Sequence, residues 1–166
     1  MPYSFKLLYF LVFLVTTSLS AEDENFLNKG DLFPQINFTN QFEKEALLSL
    51  NIKKIIFVSD MDASKIAHSV LEKDGDAILN QSEAVFISDI HKMPALITRF
   101  VALPKMRSYT YTMHLIRDEN VGSNIPRKKG SLTLISLEQG KIKSIEFADE
   151  VSKLNEFLSS NPSKKK

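Results

Sequence analysis

The fold is decided by the stretch Lys53-Lys54-Ile55-Ile56-Phe57-Val58-Ser59 and by the helix pattern that follows it. The stretch is a continuous apolar run of strand length, rich in β-branched and aromatic residues, which is typical of a strand buried on both faces. After Asp60 the apolar positions are spaced three and four apart, at Ala63, Ile66, Ala67, Val70 and Leu71. We therefore predict a central strand followed by a helix that begins at Asp60.

The same order of strand and helix recurs once along the chain. Residues 84–88 form a second apolar run of strand length. The helical spacing then returns at Met93, Leu96, Ile97, Phe100 and Val101. Pro104 predicts the end of this second helix, because proline has no amide N–H with which to continue it. A β-α-β-α unit of this kind places its two strands in parallel.

Weaker patterns flank this unit. A short strand at 35–39 and a short helix at 40–50 are predicted before it, and an alternating strand begins at Tyr109 after it. The fold class that follows is α/β with a mixed central sheet.

The last part of the chain has the pattern of a hairpin and a closing helix. Apolar runs at 131–137 and 141–147 flank Gly140, and glycine can adopt the positive φ that a tight hairpin turn requires. The closing helix is predicted from Asp149 onward. Its inner face is formed by Val151, Leu154 and Leu158.

The composition limits the chemistry of the chain. It has 166 residues, with 21 Lys+Arg against 20 Asp+Glu. This balance gives no broad positive field, so we expect no nucleic-acid partner. The sequence contains no cysteine, which excludes disulfides, thiol catalysis and cysteine-bound metals in this chain.

Residues 1–20 have the pattern of a signal peptide. Lys6 precedes the apolar run Leu7-Leu8-Tyr9-Phe10-Leu11-Val12-Phe13-Leu14-Val15, and small or polar residues follow it up to Ser20. The run is shorter than the ~20 residues that a spanning helix needs, which favours cleavage after Ser20, or alternatively after Ala21, over an uncleaved anchor. We expect a periplasmic or secreted protein with no stable membrane span after cleavage. Its parts are a flexible lead-in at 21–29, one domain at 30–159 and a basic solvated tail at 160–166.

The order of these elements resembles the thioredoxin-like fold. The stretch Gly30-Asp31-Leu32-Phe33-Pro34 is similar to the beginning of peroxiredoxin-type thioredoxin domains, and the resemblance covers nearly all of residues 30–159. It implies a three-layer α/β/α sandwich. In that superfamily two redox cysteines open the helix after the central strand, where this chain has Ser59-Asp60-Met61-Asp62-Ala63-Ser64.

The second redox element of that superfamily is a cis-proline that faces the two cysteines. The comparable stretch here is residues 105–110, and Pro104 stands several residues too early. Both redox elements therefore depart from the pattern. The resemblance implies a redox-inactive member, which is neither a thiol-disulfide oxidoreductase nor a thiol peroxidase.

A second resemblance rests on Asp60-Met61-Asp62 after an apolar strand. It is similar to the first motif of haloacid-dehalogenase-like phosphatases and implies Asp60 as nucleophile, Asp62 as general acid/base and a bound Mg²⁺. Ser88 and Lys105 resemble the serine and the lysine of that family. The chain departs from the pattern because no later paired-aspartate motif follows. The alternative is that Asp60 caps a helix whose first turn contains Asp62.

The ends of the two parallel strands bring polar residues to one edge of the sheet, where ligands of α/β proteins collect. Asp60, Asp62, Asp89 and His91 could hold a divalent metal there, the one cofactor that this sequence suggests. The alternative is that Asp89 and His91 cap the turn between strand and helix.

Two basic residues could reach the same edge. Lys105 and Arg107 would then form a binding site together with Asp60 and Asp62, by pairing with the aspartates or by holding an anion. The sequence thus favours an exported, non-catalytic binding or interaction module, whose partner is an unknown protein or small ligand. Its alternative is a metal-dependent phosphohydrolase that uses Asp60 and Asp62.

Overall fold

The computed structural model describes residues 26–49 and 51–160. The predicted signal peptide at 1–20 lies outside the described residues, as do residues 21–25 of the lead-in and 161–166 of the tail. The two described ranges together form one sheet of seven strands and the helices that pack on it.

The sheet is mixed, as the sequence predicts. Its strands are β1 (Phe38–Thr39), β2 (Glu45–Ala46), β3 (Lys54–Val58), β4 (Ala84–Asp89), β5 (Met113–Ile116), β6 (Leu132–Glu138) and β7 (Lys141–Ala148). They are arranged in the order β2-β1-β5-β4-β3-β6-β7. β3 is parallel to β4 and β4 to β5, whereas the other neighbouring pairs are antiparallel. The predicted pairing of the two apolar runs is therefore confirmed.

The helices are α1 (Met61–Gln81), α2 (Ala95–Ile97), α3 (Leu103–Met106) and α4 (Val151–Ser159). A π-helical turn, Thr98–Ala102, joins α2 to α3 without a break. We call the continuous helical segment of residues 95–106 the connecting helix, because it leads from β4 to β5.

The two faces of the sheet are covered differently. One face packs against α1 and α4, whose buried residues Ala67, Leu71 and Leu154 join those of the sheet. The other face is covered by irregular segments of chain, which contribute Phe33 and Ile125. Two hydrophobic cores thus enclose the central strand, which explains why all five residues of β3 are buried.

α1 confirms the predicted helix after Asp60 and extends to Gln81. Gly75 interrupts it with a positive φ of 55°, and a side chain at this position would overlap the carbonyl group of Thr110. The amide of Asp76 donates to that carbonyl oxygen over 3.1 Å. The Asp76 carboxylate accepts from the amide and the hydroxyl of Thr112, at 2.6 and 2.9 Å. The kinked part of α1 is therefore hydrogen-bonded to the residues that lead into β5.

Lys54 of β3 is buried at 2% exposure, which is unusual for a lysine. Its Nζ donates to the carbonyl oxygens of Leu158, at 2.9 Å, and of Ser160. These carbonyl groups lie at the end of α4, where helices have acceptors without partners. Burial lowers the pKa of Lys54, and the nearby Glu83 carboxylate opposes that shift. The side chain fastens the last helix to the central strand.

The predicted helix at 40–50 is wrong, because the segment forms a tight turn and β2. The side chain of Asn40 accepts from the amides of Phe42 and Lys44, at 2.9 and 3.0 Å, and Glu43 has a φ of 62°. These short-range bonds compete with helical ones and turn the chain back beside β1.

The predicted burial of the second helix is also wrong. Its apolar positions are exposed, by 71% at Leu96, 48% at Ile97, 66% at Phe100 and 57% at Val101. The connecting helix touches the core instead through Met93 just before it and through Leu103 and Met106. α1 and α4 pack on this face of the sheet, and no apolar surface among the described residues covers the middle of the connecting helix.

Pro104 does not end the helix at the predicted position. The helix continues through it to Met106, after the π-helical turn. Proline cannot donate to the carbonyl four residues earlier, and a wider turn is a common way to accommodate this defect.

The carboxyl-terminal hairpin is confirmed. β6 and β7 pair from Leu132 and Ala148 to Glu138 and Lys141, and the turn residues Gln139 and Gly140 have φ values of 51° and 77°. α4 buries Leu154 and Leu158 as predicted, whereas Val151 is partly exposed.

Candidate functional site at the strand ends

The sheet brings the ends of β3 and β4 together. Val58 of β3 is paired with Ser88 of β4, so the segments that follow both strands leave the sheet at the same edge. Asp60 and Asp62 follow β3, while Asp89 and His91 lie at the end of β4. The predicted grouping of these residues at one edge therefore has a basis in the register of the strands.

Asp60 uses both of its carboxylate oxygens to hold the protein together. Its Oδ1 accepts from the amides of Asp62 and Ala63, each at 3.0 Å, which is the geometry of a helix N-cap. Its Oδ2 accepts from the amide of Gly130 at 2.9 Å. Asp60 thus joins the start of α1 to the loop before β6.

Asp62 points away from this arrangement and is exposed. Its carboxylate accepts from the Lys65 ammonium at 2.9 Å, one turn further along α1. This hydrogen bond, and then the charge of Lys65, lower the pKa of Asp62. Asp62 also carries a negative charge beside the positive end of the helix, where it is favourable.

Asp89 is the centre of a buried ionic group. Its side chain is 2% exposed, and its Oδ1 lies 2.6 Å from Nδ1 of His91 and 3.1 Å from the His91 amide. Nη2 of Arg127 lies 3.0 Å from the Asp89 Oδ2, but without the alignment of a hydrogen bond. The Arg127 guanidinium also stacks 5.4 Å from the centre of the Phe57 ring and donates to the Gly122 carbonyl. The charge of this buried carboxylate is thereby balanced by the Arg127 guanidinium, while its other oxygen accepts from His91.

The four residues predicted as metal ligands do not form a metal-binding cluster within residues 26–49 and 51–160. Asp60 is occupied by three amides, and Asp89 is paired with Arg127 and His91. A cation would have to compete with these partners. Metal binding at this edge stays a prediction.

The predicted binding residues Lys105 and Arg107 lie on a different part of the molecule from Asp60. Nε of Arg107 donates to the Gln41 carbonyl at 2.9 Å, and its Nη2 lies 2.9 Å from the Glu43 carboxylate. Arg107 therefore fixes the turn before β2. Lys105 lies exposed in α3. Whether either residue binds a ligand stays a prediction.

The loop that faces the start of α1 is at 128–130 and not at 105–110, where the resemblance to thioredoxin-like domains puts it. The bond between Gly130 and Asp60 identifies it. The sequence analysis did not identify Arg127 as the partner of Asp89. A signal was present, since a carboxylate at the end of a buried strand needs a buried cation.

The second notable surface is the exposed side of the connecting helix, directly after the strand ends. We call its four exposed side chains, Leu96, Ile97, Phe100 and Val101, the apolar ridge. From His91 to Arg117 the chain contains five Lys and Arg residues and no Asp or Glu. The ridge thus combines a stripe of exposed apolar side chains with a segment that contains Lys and Arg but no Asp or Glu, which is uncommon on a protein whose charges otherwise balance.

No helix within the described ranges is long and apolar enough to cross a membrane.

Comparisons with known proteins identify the fold. No family model and no curated protein sequence match the chain. Among solved structures it is similar to peroxidoxin BcpB from Mycobacterium tuberculosis, with a TM-score of 0.56 and 11% identity over 84% of this chain and 99% of that one.

Two further solved structures have a similar fold. A putative protein disulfide isomerase from Bacteroides thetaiotaomicron has a TM-score of 0.52 and 17% identity over 81% of this chain and 92% of that one. The thioredoxin domain of a thiol-disulfide oxidoreductase from Bacteroides vulgatus has a TM-score of 0.51 and 14% identity, covering 80% of this chain and 99% of that one. The predicted thioredoxin-like fold is confirmed, in a chain without cysteine.

Proposed function

We propose that this chain is an exported thioredoxin-like domain that acts as a non-catalytic binding module. The observation that carries the proposal is the state of Asp60, which stands where the resemblance places the redox cysteines. Its two oxygens accept three backbone amides and hold α1 to the loop before β6. Because both of its oxygens already accept backbone hydrogen bonds, Asp60 has a structural role at this edge of the sheet.

The absence of cysteine from the sequence supports the same conclusion for thiol chemistry. Disulfide exchange and thiol peroxidation both need a thiolate, and this chain cannot supply one. The similarity to peroxidoxin and thioredoxin structures concerns the fold alone.

The alternative, a metal-dependent phosphohydrolase, requires Asp60 to attack phosphorus. Such a nucleophile needs a carboxylate oxygen free to approach the substrate, whereas both oxygens of Asp60 accept hydrogen bonds. Lys105, which that resemblance uses to neutralise charge, lies on the connecting helix. These contacts favour the binding module.

A periplasmic or secreted location is part of the proposal and rests on residues 1–20. It is tested by fractionating cells that produce the chain with and without Leu11→Lys, which interrupts the apolar run. We expect the parent chain outside the cytoplasm and shortened at its amino end, and the variant inside. A parent chain of full length in the cytoplasm would contradict export.

The absence of catalytic activity is tested with the purified protein and the Asp60→Asn variant. Both are assayed for insulin reduction, for peroxide consumption and for p-nitrophenyl phosphate hydrolysis with Mg²⁺ or Mn²⁺. We expect no turnover above background in any assay. Phosphate release by the parent that disappears in Asp60→Asn would establish the phosphohydrolase instead.

Metal binding is tested by calorimetric titration with Mg²⁺, Ca²⁺, Mn²⁺ and Zn²⁺, using Asp62→Ala and Asp89→Asn as variants. Because Asp60 and Asp89 are already paired within the protein, we expect no stoichiometric binding. Binding that is lost in both variants would establish the predicted metal site.

A further inference from the structure

The apolar ridge and its basic surroundings form a surface that the strand-end site does not explain. All four ridge side chains are exposed, by 48% to 71%, and three neighbouring exposed cations, Lys92, Arg99 and Lys105, lie on the same segment. Leaving this much apolar surface in water is unfavourable, so the ridge needs a covering partner more than a polar helix would.

A second segment approaches the edge of the sheet from which the connecting helix starts. Lys92 follows His91 and Lys128 follows Arg127, and both His91 and Arg127 contact Asp89. Lys92 and Lys128 are thus brought to the same edge from opposite sides of the sheet centre. Asp89 is paired with Arg127, but Asp60 keeps its negative charge and the exposed Asp62 lies beside it, so the positive charge next to the ridge rests on Lys92, Arg99 and Lys105.

We propose that the apolar ridge is a docking surface for an anionic lipid bilayer, in which the four side chains enter the interface while the surrounding lysines and arginines contact lipid phosphates. This proposal rests on the proposed function, a module that binds without catalysis. A helix with exposed large apolar residues and basic neighbours has the composition of an interfacial membrane helix. Lys and Arg add attraction to anionic headgroups.

The same features disfavour the other occupants. A second copy packed about a two-fold axis would place the cations of one ridge against those of the other, which is repulsive. A protein partner would have to provide a groove, because the ridge side chains protrude from a helix. A bilayer interface accommodates protruding side chains without a preformed pocket.

The test is a vesicle sedimentation assay with the full chain carrying Leu11→Lys, so that the apolar run at 7–15 contributes little. The vesicles are pure phosphatidylcholine, or phosphatidylcholine with about one third phosphatidylglycerol. We expect binding to the anionic vesicles that is about tenfold stronger than to the neutral ones and that weakens as salt is raised.

The decisive variants come in matched pairs. Leu96→Ser and Phe100→Ser should each lower binding about tenfold, since each removes an inserted side chain. The control is Leu32→Ser, because Leu32 is similarly exposed, at 65%, but is bridged to Lys141 on the far edge of the sheet. Arg99→Glu should also lower binding about tenfold, whereas Lys29→Glu should not.

Several outcomes would overturn the proposal: no binding to either vesicle, equal binding to both, or ridge variants that bind as well as Leu32→Ser. A concentration-dependent dimer that is lost in Phe100→Ser would assign the ridge to a second copy instead. Enzymatic turnover in the assays above would overturn the proposed function and leave the vesicle result standing. The two failures are therefore distinguishable.

Discussion

α1 and the connecting helix have the same apolar spacing in the sequence, but the spaced residues are buried in α1 and exposed in the connecting helix. In α1 the spaced residues Ala63, Ala67 and Leu71 are fully buried, and Asp60 caps the helix start. In the connecting helix Leu96 and Phe100 project into solvent, and no side chain caps the first turn. An apolar stripe thus marks a surface in need of cover, which residues 26–49 and 51–160 supply for α1 and not for the connecting helix.

The largest effect should come from shortening a side chain under α1. Leu71→Ala removes a fully buried residue from the core between α1 and the sheet. We expect a loss of about 3 kcal/mol in the free energy of unfolding, measured by urea denaturation. A loss below about 1 kcal/mol would mean that α1 is packed no better than the connecting helix.

The kink in α1 should be nearly as sensitive. Gly75→Ala places a methyl group against the Thr110 carbonyl and forces a positive φ on alanine. We expect a loss of about 2 kcal/mol or more in unfolding free energy. Gly130→Ala is a useful comparison, because a side chain there meets no atom although φ is also positive. Equal losses in the two variants would show that backbone strain dominates and that the contact with Thr110 is unimportant.

The cap of α1 should contribute less than its packing. Asp60→Ala removes the acceptor for the Asp62, Ala63 and Gly130 amides, and we expect a loss of about 1–2 kcal/mol by the same denaturation measurement. Asp60→Asn should recover part of this loss, because an amide oxygen can still cap the helix. Its NH₂ group cannot accept from Gly130, so full recovery would contradict the role of the second bond.

A pH effect is expected where the connecting helix leads into β5. Burial lowers the pKa of His114, an effect partly offset by a hydrogen bond with the Phe86 backbone. The unfolded chain, with a histidine pKa of about 6.5, then binds a proton at higher pH than the folded chain. Stability should therefore fall as the pH falls through about 6.5 and level off below the folded value. His114→Leu should make the dependence of the urea midpoint on pH shallower in this range, and an unchanged dependence would assign it to other groups.

The smallest effect on stability should come from the ridge. Leu96→Ser changes an exposed side chain, and we expect a change within about 0.5 kcal/mol. Together with the loss of Leu71→Ala this outcome would complete the contrast between the two helices. A large loss in Leu96→Ser would show that the connecting helix is packed in solution.

The elements that the sequence predicts well are those whose signal is local. Ile55, Ile56 and Phe57 lie in one apolar run, and a run of that kind needs burial whichever elements supply it. Gly140 likewise carries its own turn preference. The connecting helix was mispredicted because the burial of its stripe depends on what already covers the sheet beneath it.

In the candidate site, too, the features with a local sequence signal were predictable and those that depend on distant residues were not. The N-cap role of Asp60 follows from its place before a helix, so it was one of the alternatives that the sequence offers. The partner of Asp89 is Arg127, which is distant in sequence and stands in a run of three basic residues. Nothing local distinguishes Arg127 from Lys128 or Lys129. Only the packed sheet shows which of the three turns inward.

The bond from Lys54 to the end of α4 has a consequence for how the chain reaches its final state. The ammonium and the Leu158 carbonyl are separated by 104 residues. A chain that emerges amino end first therefore exposes its central strand long before the groups that satisfy the buried lysine are present. The buried lysine is therefore satisfied only after α4 has been synthesised and has packed on the sheet. Contacts between residues so far apart in sequence slow folding.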